Sequence, residues 1–382
     1  MYRLTADQQA IVTRAREIAD RQIAPHAERV DADGVFPKES IDALAAAGFL
    51  GLTVPTEYGG MGQGVRVASA VLDEIAQRCA SSGMIYLMHV CGIAAYLAAR
   101  ETTAEYLRAA ARGDHLSTLA WSERGSRSHF WAPVSQAARA NGHVTITAEK
   151  SWVTSAGHAA GYVVSTRAPE AQQPTESTLY LVLGGDAGVS VAGPWTALGM
   201  RGNASAPMHL EAVAVDEGRA LSAPGKGFDA MMGILPVFQL GIAAISIGIA
   251  EAAVRTTQGH LTAGRFEHLD SKLSDLPNLR ARLAQMRIET DRARAHLCSV
   301  LDAVESPGDT TLLLVLEIKS SAAEAAVRVT DLGMQTCGGA AFSKHLGLER
   351  SFRDARAATV MAPTTDHALE FIGRALCGMA LF

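Results

Sequence analysis

Apolar and polar positions change period twice along this chain, and the two changes divide it into three parts. In the first 115 residues, apolar positions such as Ile11, Ala15, Ile18 and Ile23, and later Val71, Leu72 and Ile75, recur at helical spacing. Pro25, Gly34, Pro37 and Gly48 punctuate these helices, and Pro55-Thr56-Glu57-Tyr58-Gly59-Gly60 reads as a turn whose glycines supply backbone freedom. From 116 to 222 the period becomes two. Asn141-Gly142 is a hairpin signal ahead of the alternating run 143–147, and further strands are predicted at 162–165, 179–183 and 209–215. From 223 onward helical spacing returns, first in an apolar segment, then around Leu279, Leu283, Met286 and Leu297, then over 311–335. Ala362-Pro363 predicts one last helix with proline in its first turn.

The apolar segment needs arbitration, because between 231 and 250 only Gln239 and Ser246 are polar, which on hydropathy alone is long enough to span a bilayer. Pro236 interrupts the run, no basic cluster flanks it, and a helix apolar on all sides also suits the middle of a large bundle. We read it as a buried bundle helix, sealed in part by subunit contacts, and expect no membrane span. The composition agrees: 382 residues, 48% hydrophobic and 19% charged, leave room for two or three packed units.

A formal charge of −5 without a basic stripe speaks against nucleic-acid binding. Cys79, Cys91, Cys298, Cys337 and Cys377 are odd in number and widely spaced, so neither a disulfide framework nor a zinc site is indicated and no metal is expected. A reducing cytoplasm fits them, and the polar start lacks the basic-then-apolar order of a signal peptide.

Several strings carry chemistry. Ser122-Glu123-Arg124-Gly125-Ser126-Arg127-Ser128 is a Ser/Gly loop at the entry to the β unit, and Lys150-Ser151-Trp152-Val153-Thr154-Ser155 sets an indole and a hydroxyl on one strand. Gln335-Thr336-Cys337-Gly338-Gly339 shortly precedes Arg353-Asp354-Ala355-Arg356 and Met361-Ala362-Pro363-Thr364-Thr365. With the early Pro-Thr-Glu-Tyr-Gly-Gly turn, these strings resemble the acyl-CoA dehydrogenase superfamily over nearly the whole chain. The family patterns are P-x-E-Y-G-G, T-E-P-G-A-G-S, K-x-W-I-T-N, Q-x-x-G-G, and R-D-A-[KR] followed by Y-E-G-T.

The resemblance implies a mainly α fold with a central β domain. An N-terminal helical domain (1–115), a middle β-barrel or sandwich domain (116–222) and a C-terminal four-helix bundle (223–382) would hold flavin between β domain and bundle. FAD is expected, with FMN as the alternative. The implied cofactor contacts are Ser122, Ser128, Trp152, Val153, Thr154, Arg265, Gln335, Gly338, Gly339, Thr364 and Thr365. Trp152 would cover the isoalloxazine as a flat wall and Thr154 would donate towards N5, while Thr364 and Thr365 would meet phosphate at a helix N-terminus. The implied substrate pocket comprises Tyr86, Met88, His89, Phe238, Gln239 and Ala362.

Departures fall where function is decided. Ala362 stands where the resemblance calls for the proton-abstracting glutamate, and a methyl group is no general base. Phe238 occupies the alternative glutamate position, with Gln239 in place of arginine beside it. In Gly264-Arg265-Phe266-Glu267-His268 the arginine of the family's cofactor arm survives but its context does not, and Leu276-Pro277 replaces an H-Q pair. Arg124 and His129-Phe130-Trp131 also depart, reshaping the pocket mouth.

Asp366, one turn after Ala362, is a candidate base or a charge favouring the helix dipole. His89 is a candidate base or a hydrogen-bonded core residue. Glu370 is expected to face solvent. Three functional readings stay open. One is a flavin-dependent oxidoreductase acting on an acyl thioester or related small molecule by monooxygenase, oxidase or desulfinase chemistry. The second is a glutamate-less half-site subunit, and the third a dehydrogenase with a relocated base. A homo-oligomer, dimer or tetramer, is expected.

Overall fold

The chain opens with a signal local enough to read directly. Thr5 Oγ1 accepts a hydrogen bond from the Gln8 amide at 3.3 Å and Gln8 Oε1 accepts one from the Thr5 amide at 3.0 Å, a reciprocal cap that starts helix α1 (Ala6–Ile18). The computed structural model describes residues 2–140 and 142–381. Five helices follow: α2 (Ala27–Asp33), α3 (Lys38–Ala46), α4 (Val65–Ala76), α5 (Ala80–Ala98) and α6 (Arg100–Arg112). Asn141 of the expected hairpin lies outside the described residues.

The middle unit is two sheets. One has the order β1 (Ser117–Ala120), β4 (Gly161–Arg167), β5 (Ser177–Leu183), with β1 parallel to β4. The other is antiparallel, in the order β2 (Ala138–Ala140), β3 (His143–Val153), β7 (Ala206–Asp216), β6 (Val189–Val191). Alternate residues of β3 are buried, and Val144 and Ile146 meet Val164, Val182 and Val213 in one β core.

The last unit holds α7 (Gly227–Ala263), a two-stranded hairpin β8 (Arg265–Phe266) and β9 (Ser271–Lys272), α8 (Pro277–Glu305) and α9 (Thr311–Cys337). After these come α10 (Gly339–Phe342), α11 (Leu348–Asp354), α12 (Ala357–Val360) and α13 (Thr365–Leu376). α7 packs against α8 and α9 on one side and against α4 and α5 of the first unit on the other. Buried residues of both helical units form one continuous core.

Two expectations need correction here. Pro236 does not interrupt the apolar segment, because α7 runs unbroken for 37 residues through it. A proline inside a helix costs roughly 3 kcal/mol, and the four neighbouring helices carry that cost. α5 and α7 both have the length and hydropathy of membrane spans, but 89% and 72% of their most apolar windows lie inside the fold. Pro363 is not in the first turn of the last helix. Thr364 caps α13 by accepting from the His367 amide at 3.4 Å, so the helix begins at Thr365 and Pro363 precedes the cap.

Candidate functional site

On the β-domain side, the site begins at a bulge. The β3–β7 register slips between Lys150 and Val153, and Trp152 takes a left-handed backbone conformation with φ +59°. The slip turns the indole outward. Trp152 is 67% exposed, edge-on to Trp195 with ring centroids 5.9 Å apart, whereas its neighbours Val153 and Thr154 are buried. Thr154 Oγ1 and Ser205 Oγ share a hydrogen bond at 2.9 Å. Such an indole is no core tryptophan.

Beneath this platform lies a buried ion pair, Lys150 Nζ to Glu123 Oε1 at 2.7 Å. Burial pushes the Glu123 carboxyl up, but Lys150 and Ser135 outweigh it and hold the group below the usual carboxylate range. Glu123 also accepts from the Val134 and Ser135 amides at 2.7 and 2.9 Å, closing the 123–135 loop on itself. Ser122 accepts from the Ser151 amide at 2.9 Å through its carbonyl, and both Ser122 and Ser128 remain half-buried with that loop.

The loop then meets α13 through rings. Trp121 stacks on Phe130 at 5.7 Å, Phe130 meets Trp131 edge-on at 5.1 Å, and His129 packs on Trp131 at 4.9 Å. Across the gap His129 lies 5.3 Å from His367, and Trp131 5.8 Å from Phe371. His129-Phe130-Trp131 stands out in the sequence as a departure from the family pattern, whereas His367 and Phe371 do not. Their only signal was an aromatic pair one turn apart on the helix after Ala362.

Ala362 itself is half-buried in a segment held from α9. Lys319, fully buried, donates to the Met361 carbonyl at 3.0 Å and to the Pro363 carbonyl at 2.6 Å. Burial pushes Lys319 down to about 8. A lysine amid apolar neighbours on α9 was the overlooked signal. The Thr364 hydroxyl is used as the cap, Thr365 Oγ1 is buried without a partner, and Asp366 is exposed in the first turn of α13. Glu370 is exposed and lies 3.8 Å from Arg374.

Of its two readings, His89 takes that of a hydrogen-bonded core residue. Its Nε2–H donates to the Leu50 carbonyl at 2.7 Å and its Nδ1 accepts from the Ser117 amide at 3.1 Å, so neither nitrogen is left for substrate. Burial pushes its pKa down to about 4. Tyr86 is likewise committed to the core, donating to the Phe49 carbonyl at 2.9 Å, and Met88 is buried. Phe238 is half-buried on α7, and the neighbouring Gln239 is fully buried with neither amide atom paired.

The remaining expected cofactor contacts lie on the bundle. Gly338, at φ +55°, ends α9 and shares with Gly339 open space where a side chain would stand. Gln335 donates to Asp331 at 2.8 Å, and Arg265 pairs with Asp270 at 2.5 Å within the β8–β9 hairpin. Leu276 and Pro277 start α8.

The Arg-Asp-Ala-Arg string, by contrast, staples the three units together. Arg353 forms a bidentate pair with Asp31 at 2.8 and 2.5 Å, while Asp354, fully buried, accepts from the Met200 amide at 2.6 Å. The approach is close enough that a Cβ on Gly199 would lie 2.5 Å from the Arg353 carbonyl oxygen. Burial raises Asp354 to about 6.

Comparison with known proteins follows the same three parts. Sequence models of the acyl-CoA dehydrogenase N-terminal, middle and C-terminal domains match residues 5–114, 118–213 and 225–377. The chain is 27% identical over 379 residues to the probable acyl-CoA dehydrogenase YngJ of Bacillus subtilis (strain 168), covering 98% of this chain and 99% of that protein. Butyryl-CoA dehydrogenase from Megasphaera elsdenii shares the fold at a TM-score of 0.92 and 22% identity, over 98% of this chain and 99% of that one. FMN-bound TdsC from Paenibacillus sp. A11-2 does so at 0.87 and 23%, over 96% and 97%. Matched from end to end in domain order, the chain belongs to the acyl-CoA dehydrogenase family.

Proposed function

We propose that this chain is a flavin-dependent oxidoreductase acting on an acyl thioester or related small molecule by chemistry that needs no glutamate base. Monooxygenase, oxidase and desulfinase reactions are the candidate types. One observation carries the reading: an exposed indole platform at Trp152 coexists with an Ala362 segment that Lys319 holds in place without a carboxylate.

The residues present fit a flavin. Trp152 offers a flat face, Thr154 and Ser205 a hydroxyl pair beside it, and Gly338 and Gly339 leave room for a bulky group near the bundle. Thr365 Oγ1, buried and unpaired at the start of α13, supports a phosphate contact there. Flavin supplies two-electron redox chemistry; the chain binds it, orients it and shields it. FAD is the expected form. FMN, the flavin of TdsC, is the alternative.

With His89 committed to the core and Asp366 in solvent, a relocated base loses its two named candidates. The half-site reading keeps one supporting observation, since Arg265 is engaged by Asp270 of its own hairpin. A homo-oligomer is expected because Phe342, Val360 and Leu376 expose large apolar surfaces on the bundle. A cytoplasmic location suits five free cysteines.

The test is the visible spectrum of the chain purified alone. A yellow protein that retains FAD or FMN as a homo-oligomer is expected. Colourless protein that refuses both would overturn the reading and favour the half-site subunit.

A further inference from the structure

We infer that the ring cluster joining the 123–135 loop to α13 is a binding wall for a planar aromatic molecule that carries a hydrogen-bond acceptor, with His367 as its polar contact. The inference deepens the proposed function and rests on it for the location of the flavin. Its core is geometric. Trp121, Phe130, Trp131, His129 and His367 form an unbroken series of ring contacts between 4.9 and 5.7 Å, with Phe371 closing it 6.5 Å from His367. The series runs from the residue before Ser122 to the helix that follows Ala362.

The wall has a closed back and an open front. Trp121, Phe130 and Trp131 are buried, whereas His129 is exposed and His367 and Phe371 are half-buried. None of these six side chains is a carboxylate, a lysine or an arginine. A flat uncharged ligand gains edge and face contacts on such a surface that an aliphatic chain of equal area does not.

Polarity comes from His367. Neither ring nitrogen has a hydrogen-bond partner among the described residues, and Nδ1 is sealed from solvent. A buried N–H without an acceptor is rarer and costlier than a buried lone pair, so the neutral ring carries its proton on Nε2. His367 therefore presents a donor.

Two more of the unpaired buried polar atoms adjoin the wall: Trp121 Nε1, in the ring series itself, and Thr365 Oγ1, two residues before His367. Buried polar groups are nearly always satisfied in native structures, so Trp121 Nε1 and Thr365 Oγ1 leave hydrogen-bonding capacity beside the rings.

Calorimetric titration of the purified full-length protein tests this with quinoline and naphthalene, two rings of the same shape of which only quinoline has an acceptor. The expected result is binding of both, with quinoline favoured, and a fall of about ten-fold in that preference in His367→Phe. Phe371→Ala should weaken both ligands alike. Failure of both to bind, or an unchanged preference in His367→Phe, would overturn the inference. If His367→Phe melts before the titration temperature, His367→Leu carries the same comparison. Flavin content, read separately from visible absorbance, keeps the two claims apart. Flavin-loaded protein that ignores quinoline refutes the wall alone, and quinoline binding by protein that refuses flavin refutes only the flavin reading.

Discussion

Lys319→Met probes the anchoring of the Ala362 segment most sharply, because the effect should depend on pH with a sign that the structure fixes. Lys319 is fully buried, and among the described residues its ammonium meets two backbone carbonyls and no carboxylate. Burial takes its pKa from 10.5 down to about 8, which corresponds to roughly 3 kcal/mol. The folded pKa is depressed, so the unfolded chain holds this proton more tightly than the folded one. Stability from this group is therefore fully present above 10.5 and is lost as pH falls through 8.

In Lys319→Met the titration vanishes, while the Met361 and Pro363 carbonyls lose their donor at about 1–3 kcal/mol each. At neutral pH the lost hydrogen bonds and the relieved charge burial largely offset one another. Between pH 8 and 10.5 the wild type should gain on the variant by up to roughly 3 kcal/mol. Urea unfolding of both proteins across that window measures the gap. Parallel stability curves would refute the reasoning, and would mean that Lys319 keeps its ordinary affinity for the proton in the fold.

Two further substitutions test the frame around the site. Lys150→Met strands the buried Glu123 carboxylate, which also organises the 123–135 loop, and should cost about 3–5 kcal/mol in urea unfolding. Adding Glu123→Gln should recover much of that loss. Asp354, raised to about 6 by burial, contributes stability that is full below 3.8 and lost as pH rises through 6, a total of about 3 kcal/mol. Asp354→Asn keeps an acceptor for the Met200 amide and should remove this slope, which unfolding at several pH values would detect; a slope unchanged from wild type would count against it.

The three-part architecture was legible because period is a local property: the β3 alternation and the α8 and α9 faces need no distant partner to be read. Ser117–Ala120 was missed as a strand because all four residues are buried, which leaves no alternation to see. His89 reads in the sequence as a candidate base or a hydrogen-bonded core residue, and only its partners Leu50 and Ser117, 39 and 28 residues away, distinguish the two. The same distance hid the ring wall, since His129 and His367 belong to different domains and meet only in the fold. Pro236 misled because proline is a breaker in isolated helices, whereas α7 is held by packing on several sides. The Arg353-Asp354 string identified the family correctly, yet what it does here is hold the domains together.

The central claim is that a flavin works in this chain without a carboxylate base at Ala362 or Phe238. Anaerobic mixing of the flavin-loaded protein with a panel of acyl-CoA thioesters tests it most directly, with Ala362→Glu alongside. The account predicts that the wild-type flavin stays oxidised and that Ala362→Glu gains measurable bleaching. Rapid bleaching of the wild type, with release of the α,β-unsaturated thioester, would contradict it.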